Sequence, residues 1–287
     1  MQRLRADGDV VRLRDVWGTR YGVIAGFSYA GRDRSVFLFD IDTDFYNIVV
    51  SAGDFDDTEQ AAAAWRQRVG NAAADAPIQP IERLDQLDCL VHLDMDESAL
   101  PATPDRSVTD NWFGAQRRLA ELRTALRRSG TGPITAASLY NVDTDPAVDE
   151  FTQWFRARHD TEPHHEAAEA LADEWMSGVI PETRYSVSPA RLHHQCELIN
   201  DWIDDELTRT AIALLPDWVN WLTERAEHAE PWRTQLVDAL STEVALERPG
   251  KGPRRPRQQL KVFLRRSRGD RSRACKYWSS NLPRDVP

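Results

Sequence analysis

Two aspartates stand at positions suited to holding a divalent cation. Asp40 and Asp42 directly follow an apolar run at residues 36–39. Side chains at positions i and i+2 of a strand point to the same side, so both carboxylates are expected to face one site. Carboxylate oxygens are ligands that Mg²⁺ prefers. Such a pair is suited to metal-assisted hydrolysis or transfer of phosphate esters.

The segment 36–44 resembles the first motif of haloacid-dehalogenase-type phosphohydrolases and the catalytic acid pair of primase-like polymerases. The resemblance implies that Asp40 is nucleophile and metal ligand, that Asp42 is general acid, and that Mg²⁺ is the cofactor. The other interpretation of residues 40–44 is a turn between two strands, because Asp and Thr favour local hydrogen bonds in turns. We prefer the turn, since the folded part of the chain lacks the lysine that such phosphohydrolases use to hold the phosphate.

Histidines and a glutamate form a second candidate site. His165, Glu169 and His193 carry groups that ligate Zn²⁺, and Glu169 lies at i+4 from His165 on one helix face. The other interpretation places these side chains at helix ends and in helix packing. Cys196 lies on an apolar stripe, where a free cysteine behaves as a small hydrophobic residue. We prefer helix packing and expect no cofactor, with Mg²⁺ required only if Asp40 and Asp42 are catalytic.

The last forty residues have a composition unlike the rest of the chain. Residues 248–287 hold 13 basic and 2 acidic residues, a net charge of +11. Residues 1–247 hold 23 basic and 44 acidic residues, a net charge of −21. Basic side chains neutralise phosphates, so the candidate nucleic-acid-binding residues are the arginines of this segment: Arg254, Arg255, Arg257, Arg265, Arg266, Arg268, Arg271 and Arg273.

Two other interpretations of the basic segment stay open. Its charge is complementary to an acidic protein surface, including that of the chain itself. Arginine outnumbers lysine 33 to 3 in the whole chain, which indicates GC-rich coding. An out-of-frame extension in such DNA has this same composition.

Lysine usage excludes several enzyme classes. The three lysines, Lys251, Lys261 and Lys276, all lie in the basic segment. The chain therefore has no phosphate-binding loop of the G-x-x-x-x-G-K-[ST] type. It also has no lysine before residue 249 for a Schiff base or for the ATP contact of protein kinases.

The elements that position these residues are predicted from periodicity. Alternating apolar residues predict strands over residues 21–29, 35–41 and 46–50, with a short edge strand at 10–14. Asp57 is the expected N-cap of a following helix that ends at Gly70. Helical stripes and prolines near the first turns predict helices at 110–129, 145–159, 164–177, 189–207, 212–227 and 231–247.

The predicted fold class is α+β. An N-terminal antiparallel meander with a helix (residues 1–105) precedes an all-helical domain (106–248), and a disordered basic tail (249–287) follows. An odd number of cysteines, three in all, favours a reducing compartment. The chain has no apolar run of about 20 residues. We therefore expect a bacterial cytoplasmic protein that does not enter membranes. We prefer a non-catalytic interaction or regulatory protein, and the alternative is a metal-dependent phosphoester hydrolase or nucleotidyl-transfer enzyme that uses Asp40 and Asp42.

Overall fold

An antiparallel sheet forms the N-terminal part of the chain. The computed structural model describes residues 4–29, 35–44, 48–81, 112–128, 141–202 and 204–246. The strands are β1 (Leu4–Arg14), β2 (Arg20–Tyr29), β3 (Ser35–Asp42), β4 (Ile48–Phe55) and β5 (Gln79–Pro80), in the spatial order β4-β3-β2-β1-β5. This confirms the predicted meander. The first strand is longer than predicted, and it is not the edge because β5 pairs with it.

Helix α1 (Thr58–Val69) covers one face of the sheet. Its start is the predicted one, because the Asp57 side chain accepts a hydrogen bond of 2.8 Å from the backbone N–H of Gln60. Its end is also as predicted, with Gly70 at a φ of 80°, which glycine adopts without strain. The apolar stripe of α1 packs with β2 and β3 in one core that is centred on the fully buried Trp65.

The opposite face of the sheet is lined by buried aromatic residues and contacts a second helix, α2 (Trp112–Arg128). The guanidinium of Arg118 lies 4.3 Å from the ring centroid of Phe37 and donates a hydrogen bond of 2.5 Å to Asp54. This cation–π contact and the ion pair attach α2 to β3 and β4. The sheet is therefore covered on both faces.

Five further α-helices lie between residues 145 and 246 of the described chain. They are α3 (Asp145–His159), α4 (His165–Met176), α5 (Pro189–Asn200), α6 (Asp205–Arg225) and α7 (Trp232–Leu246). Their apolar stripes meet in one core in which Trp175 and Trp218 are fully buried. The α+β class and the helical region are thus confirmed. Across the described ranges, none of the helices combines the length and apolarity needed to cross a membrane.

Two predicted helix boundaries are wrong. The helices predicted at 189–207 and 212–227 are in fact Pro189–Asn200 and Asp205–Arg225. Asp204 decides the boundary, because its carboxylate accepts hydrogen bonds of 2.9 and 3.0 Å from the backbone N–H groups of Glu206 and Leu207. Such capping starts a new helix. Pro216 would lie near the first turn of the predicted helix 212–227, but it lies in the interior of α6.

The turn between β1 and β2 inserts into the helical core. Trp17 is 7% exposed and belongs to the same apolar cluster as the helices. Its ring makes edge contacts with His228 and Trp232, at centroid distances of 5.2 and 5.3 Å. The described residues up to Leu246 belong to one compact unit. The boundary predicted near residue 105 and the predicted disordered segment 249–287 lie outside the described residues.

Replacing Trp17 tests whether this insertion stabilises the whole unit. We expect Trp17→Ala to lower the free energy of unfolding by about 3–5 kcal/mol, because it removes a large buried side chain and leaves a cavity. The measurement is urea denaturation followed by circular dichroism. Val16→Ala is the matched control, since Val16 is 40% exposed. Equal losses of unfolding free energy in the two variants would contradict a stabilising role for the insertion of Trp17.

Candidate functional site

Asp40 is fully buried, and its carboxylate is held by three hydrogen bonds. Arg20 donates two of them, from Nε to Oδ1 at 2.7 Å and from Nη2 to Oδ2 at 2.8 Å. The indole Nε1 of Trp65 donates the third, to Oδ1 at 3.0 Å. A bidentate guanidinium–carboxylate pair is among the strongest polar contacts in proteins. The carboxylate is thus bound from the neighbouring strand and from α1 together.

The backbone of β2 makes room for this arrangement. Gly22 lies opposite Asp40 in the sheet register. A Cβ atom at Gly22 would come within 2.9 Å of the Trp65 ring, closer than side chains tolerate. The missing side chain therefore allows Trp65 to lie against the sheet, where its N–H reaches the carboxylate.

Asp42 shares the same arginine. Arg20 Nη1 donates to Asp42 Oδ2 at 3.3 Å, and the backbone N–H of Asp44 donates to Asp42 Oδ1 at 2.9 Å. Both aspartates lie in strand β3, so the preferred interpretation as a turn is wrong for residues 40–42. They face one group, as the period of two predicts, and that group is a guanidinium. Burial raises the pKa of Asp42, and the charge of Arg20 opposes this. Burial alone would lower the pKa of Arg20, but the hydrogen bond and charge of Asp40 raise it above its ordinary value.

A third carboxylate, that of Asp15, organises the turn before β2. Its Oδ1 accepts hydrogen bonds from the backbone N–H groups of Thr19 at 2.9 Å and Arg20 at 3.0 Å. Burial raises the pKa of Asp15 to about 6, while these two hydrogen bonds and the charge of Arg14 oppose the shift. The side chain therefore fixes the point at which Arg20 enters the sheet.

Asp44 extends the group of carboxylates to the helices. Its Oδ2 accepts a hydrogen bond of 2.9 Å from the hydroxyl of Ser188, the N-cap residue of α5. Its Oδ1 is enclosed and has no hydrogen-bond partner in the part of the chain that the structure describes. Burial, with the charge of Asp42 adding to it, raises the pKa of Asp44 to about 7. We call Asp15, Asp40, Asp42 and Asp44 the carboxylate cluster.

The geometry of the carboxylate cluster favours a structural role. Metal-assisted phosphate chemistry needs carboxylate oxygens that are open to a cation and to a substrate. Both oxygens of Asp40 are occupied by N–H donors, and the residue is 0% exposed. Within the described ranges, no group of three or more His, Cys, Asp or Glu side chains is arranged to hold a metal ion.

The histidine candidates lie in separate contacts with glutamates. His165 Nε2 is 3.4 Å from Glu169 Oε1, as their i+4 spacing predicts, and both side chains are exposed. His193 on α5 instead meets α7, where its Nδ1 lies 2.9 Å from Glu243 Oε1. The described structure thus brings His165 and Glu169 together but not the set of three. Cys196 is buried in the helical core, as predicted.

The candidate arginines of the basic segment lie outside the described residues, from Arg254 to Arg273. Their assignment to nucleic-acid binding stays a prediction. Trp218 and Trp221 of α6 are buried and lie 4.8 Å apart, centroid to centroid, so this pair serves in core packing.

Sequence reasoning missed the partners of the aspartates. Arg20 was recoverable, because the hairpin register places it directly opposite Asp42. Ser188 also carried a signal, since a serine immediately before proline is a typical N-cap. Arg191 carried none. It is fully buried, and its guanidinium donates to the backbone carbonyls of Thr183, Ser186 and Trp175.

Replacing Asp40 tests the structural role of the carboxylate cluster. We expect Asp40→Asn to lower the free energy of unfolding by about 3 kcal/mol, because it removes the buried carboxylate that binds the Arg20 guanidinium through two hydrogen bonds. Asp42→Asn is the matched control. It should change stability by no more than about 1 kcal/mol, since the Asp42 side chain is 23% exposed and has the longer contact with Arg20. Urea denaturation of both variants gives the comparison.

A double substitution separates the ion pair from general damage to the sheet. If Arg20 and Asp40 act as a pair, Arg20→Met with Asp40→Asn should cost at least about 1 kcal/mol less than the two single losses added together. Additive losses would mean that each side chain contributes independently, and the central role of the pair would be wrong.

Comparison of the chain with protein families, with curated proteins and with solved structures returned no match. The proposal for function therefore rests on the charges and contacts of this chain alone.

Proposed function

We propose that this protein is a non-catalytic interaction or regulatory protein that contacts nucleic acid through its basic segment, residues 248–287. The carboxylate of Asp40 is the single observation that carries the non-catalytic part. This carboxylate was the strongest candidate for catalysis, and it is 0% exposed and bound by Arg20 and Trp65. A carboxylate with this role stabilises the fold and is closed to substrate.

The distribution of charge supports the choice of partner. Residues 141–246 carry 22 acidic residues and 7 arginines, and one of these arginines, Arg191, is fully buried. The described helices therefore present a strongly negative surface, which repels phosphate groups. We therefore assign contact with nucleic acid to residues 248–287, which contain 13 basic and only 2 acidic residues.

The alternative is a metal-dependent phosphoester hydrolase or nucleotidyl-transfer enzyme that uses Asp40 and Asp42. It would require Arg20 and Trp65 to leave Asp40 before Mg²⁺ could bind. Removing the guanidinium and opening a buried carboxylate to solvent is costly. The burial of Asp40 therefore favours the interaction protein over the metal-dependent enzyme.

Neutralising the arginines in the full-length chain tests the proposal. The variant replaces eight residues by Gln: Arg254, Arg255, Arg257, Arg265, Arg266, Arg268, Arg271 and Arg273. The wild type should bind a fluorescent single-stranded DNA with an affinity that falls steeply with salt, at a log–log slope of about −5.6 for roughly eight phosphate contacts. The variant should lose this binding while its thermal melting stays unchanged. Fluorescence anisotropy over a range of salt concentrations measures both chains.

The control replaces exposed arginines of the helical region, Arg156, Arg158 and Arg209, by Gln. It should bind DNA as the wild type does. Binding that survives neutralisation of the basic segment would contradict the proposal, and so would an absence of binding in the wild type. Phosphoester turnover that depends on Mg²⁺ and is lost in Asp40→Asn would favour the hydrolase instead.

A further inference from the structure

The end of the sheet is joined to the helices by a small set of polar contacts. We call this contact region the joint: residues 15–19 and 43–44 on the sheet side, and residues 181–191 on the helical side. The Ser188 hydroxyl donates to Asp44 Oδ2 at 2.9 Å, and the Ser186 hydroxyl donates to the backbone carbonyl of Gly18 at 3.4 Å. Arg12 pairs with Glu182 at 3.1 Å beside them.

Arg191 holds the helical side of the joint together. Its guanidinium is fully buried and donates to the carbonyls of Thr183 and Ser186 at 2.5 and 3.0 Å. Ser188 in turn accepts a hydrogen bond of 3.0 Å from the backbone N–H of Arg191. The segment 183–191 is therefore held together by its own hydrogen bonds, and it contacts the sheet side through Ser188.

Negative charge accumulates on the sheet side of the joint. The charges of Asp42 in β3 and of Asp15 in the β1–β2 turn disfavour ionisation of Asp44, and the charge of Arg191 in α5 favours it. Asp42 interacts with Arg20, whose other contacts are with Asp40. Arg191 is held by backbone carbonyls, and it donates no hydrogen bond to Asp44 in the described structure. An ionised Asp44 thus lies in an enclosed site beside other carboxylates.

We propose that the joint is a pH-sensitive device, in which loss of the Asp44 proton as pH rises toward neutrality loosens the contact between the sheet and the segment 181–191. Three features support it: the enclosed Oδ1 without a partner, the hydrogen bond from Ser188, and the neighbouring carboxylates. Loss of the Asp15 proton is expected to loosen the joint as well, because the Asp15 carboxylate shapes the turn on the sheet side.

Linkage fixes the direction of the effect. Burial raises the pKa of Asp44 to about 7 and that of Asp15 to about 6, against an ordinary value of 3.8 for each. Between about pH 4 and about pH 7 the closed joint therefore binds protons that the opened joint releases. The closed joint becomes less stable as pH rises through this range, and the effect levels off above about pH 7. His194 on α5 has its pKa lowered to about 4 by burial and by Arg191, so it titrates near the lower end of this range.

Hydrogen exchange across pH tests the proposal on the full-length chain. After correction for the intrinsic pH dependence of exchange, the opening of peptides that cover residues 15–20 and 183–191 should increase between about pH 5 and about pH 7. The increase should be at most about tenfold per pH unit for the titration of one group. Asp44→Asn keeps an oxygen that accepts from Ser188 but removes the charge. This variant should lose most of the increase and should exchange more slowly than the wild type at pH 7.

Two controls accompany this variant. Asp149→Asn, at an exposed position of α3, should keep the wild-type profile. Ser188→Ala should raise exchange at every pH and keep the increase, because it removes the hydrogen bond and leaves the carboxylate. A wild-type profile without an increase between pH 5 and 7 would overturn the proposal whatever the variants do. An Asp44→Asn profile equal to that of the wild type would overturn it as well.

Discussion

A buried carboxylate binds the sheet and its covering helix into one unit. Asp40 faces the layer between β3 and α1, where an unpaired charge would be strongly destabilising. Arg20 neutralises the charge from β2, and Trp65 donates its indole N–H from α1. Gly22 provides the space that this packing needs. The hairpin register, the placement of α1 and the entry of the chain into β2 all have to be correct for this one carboxylate to be satisfied.

Asp40 and Asp42 are of a residue type that serves in catalysis, but among the described residues they form no open catalytic site. The need to satisfy the buried Asp40 carboxylate explains this. Paired aspartates after an apolar strand serve enzymes because a cation can occupy the space between them. In this chain a guanidinium occupies that space. The carboxylate cluster contains four acidic groups, and only Asp40 has a complete set of strong partners. The incompletely compensated members, Asp15 and Asp44, lie where the sheet meets the helices, and protonation there is coupled to packing.

Sequence reasoning succeeded where the signal was local. Asp57 and Gly70 bound α1 as predicted, because capping depends on residues within one turn of the helix end. The hairpin of β2 and β3 followed from alternation and a polar turn. Reasoning failed between Asn200 and Asp205, where one apolar stripe continues through two helices and the cap at Asp204 decides where the second begins. The insertion of Trp17 into the helical core had no local signal at all.

The sequence alone determined the class of the fold, most element boundaries and the separation of charge along the chain, because each depends on composition or on neighbours within a few residues. It also determined that Asp40 and Asp42 face the same side of a strand, since that follows from the period of two. Only the tertiary structure decided what meets them there. Arg20 lies twenty residues from Asp40 along the chain, and Ser188 lies 144 residues from Asp44. The state of a buried carboxylate depends on such distant partners and on the exclusion of water, and neither is encoded in the spacing of the residues that carry it.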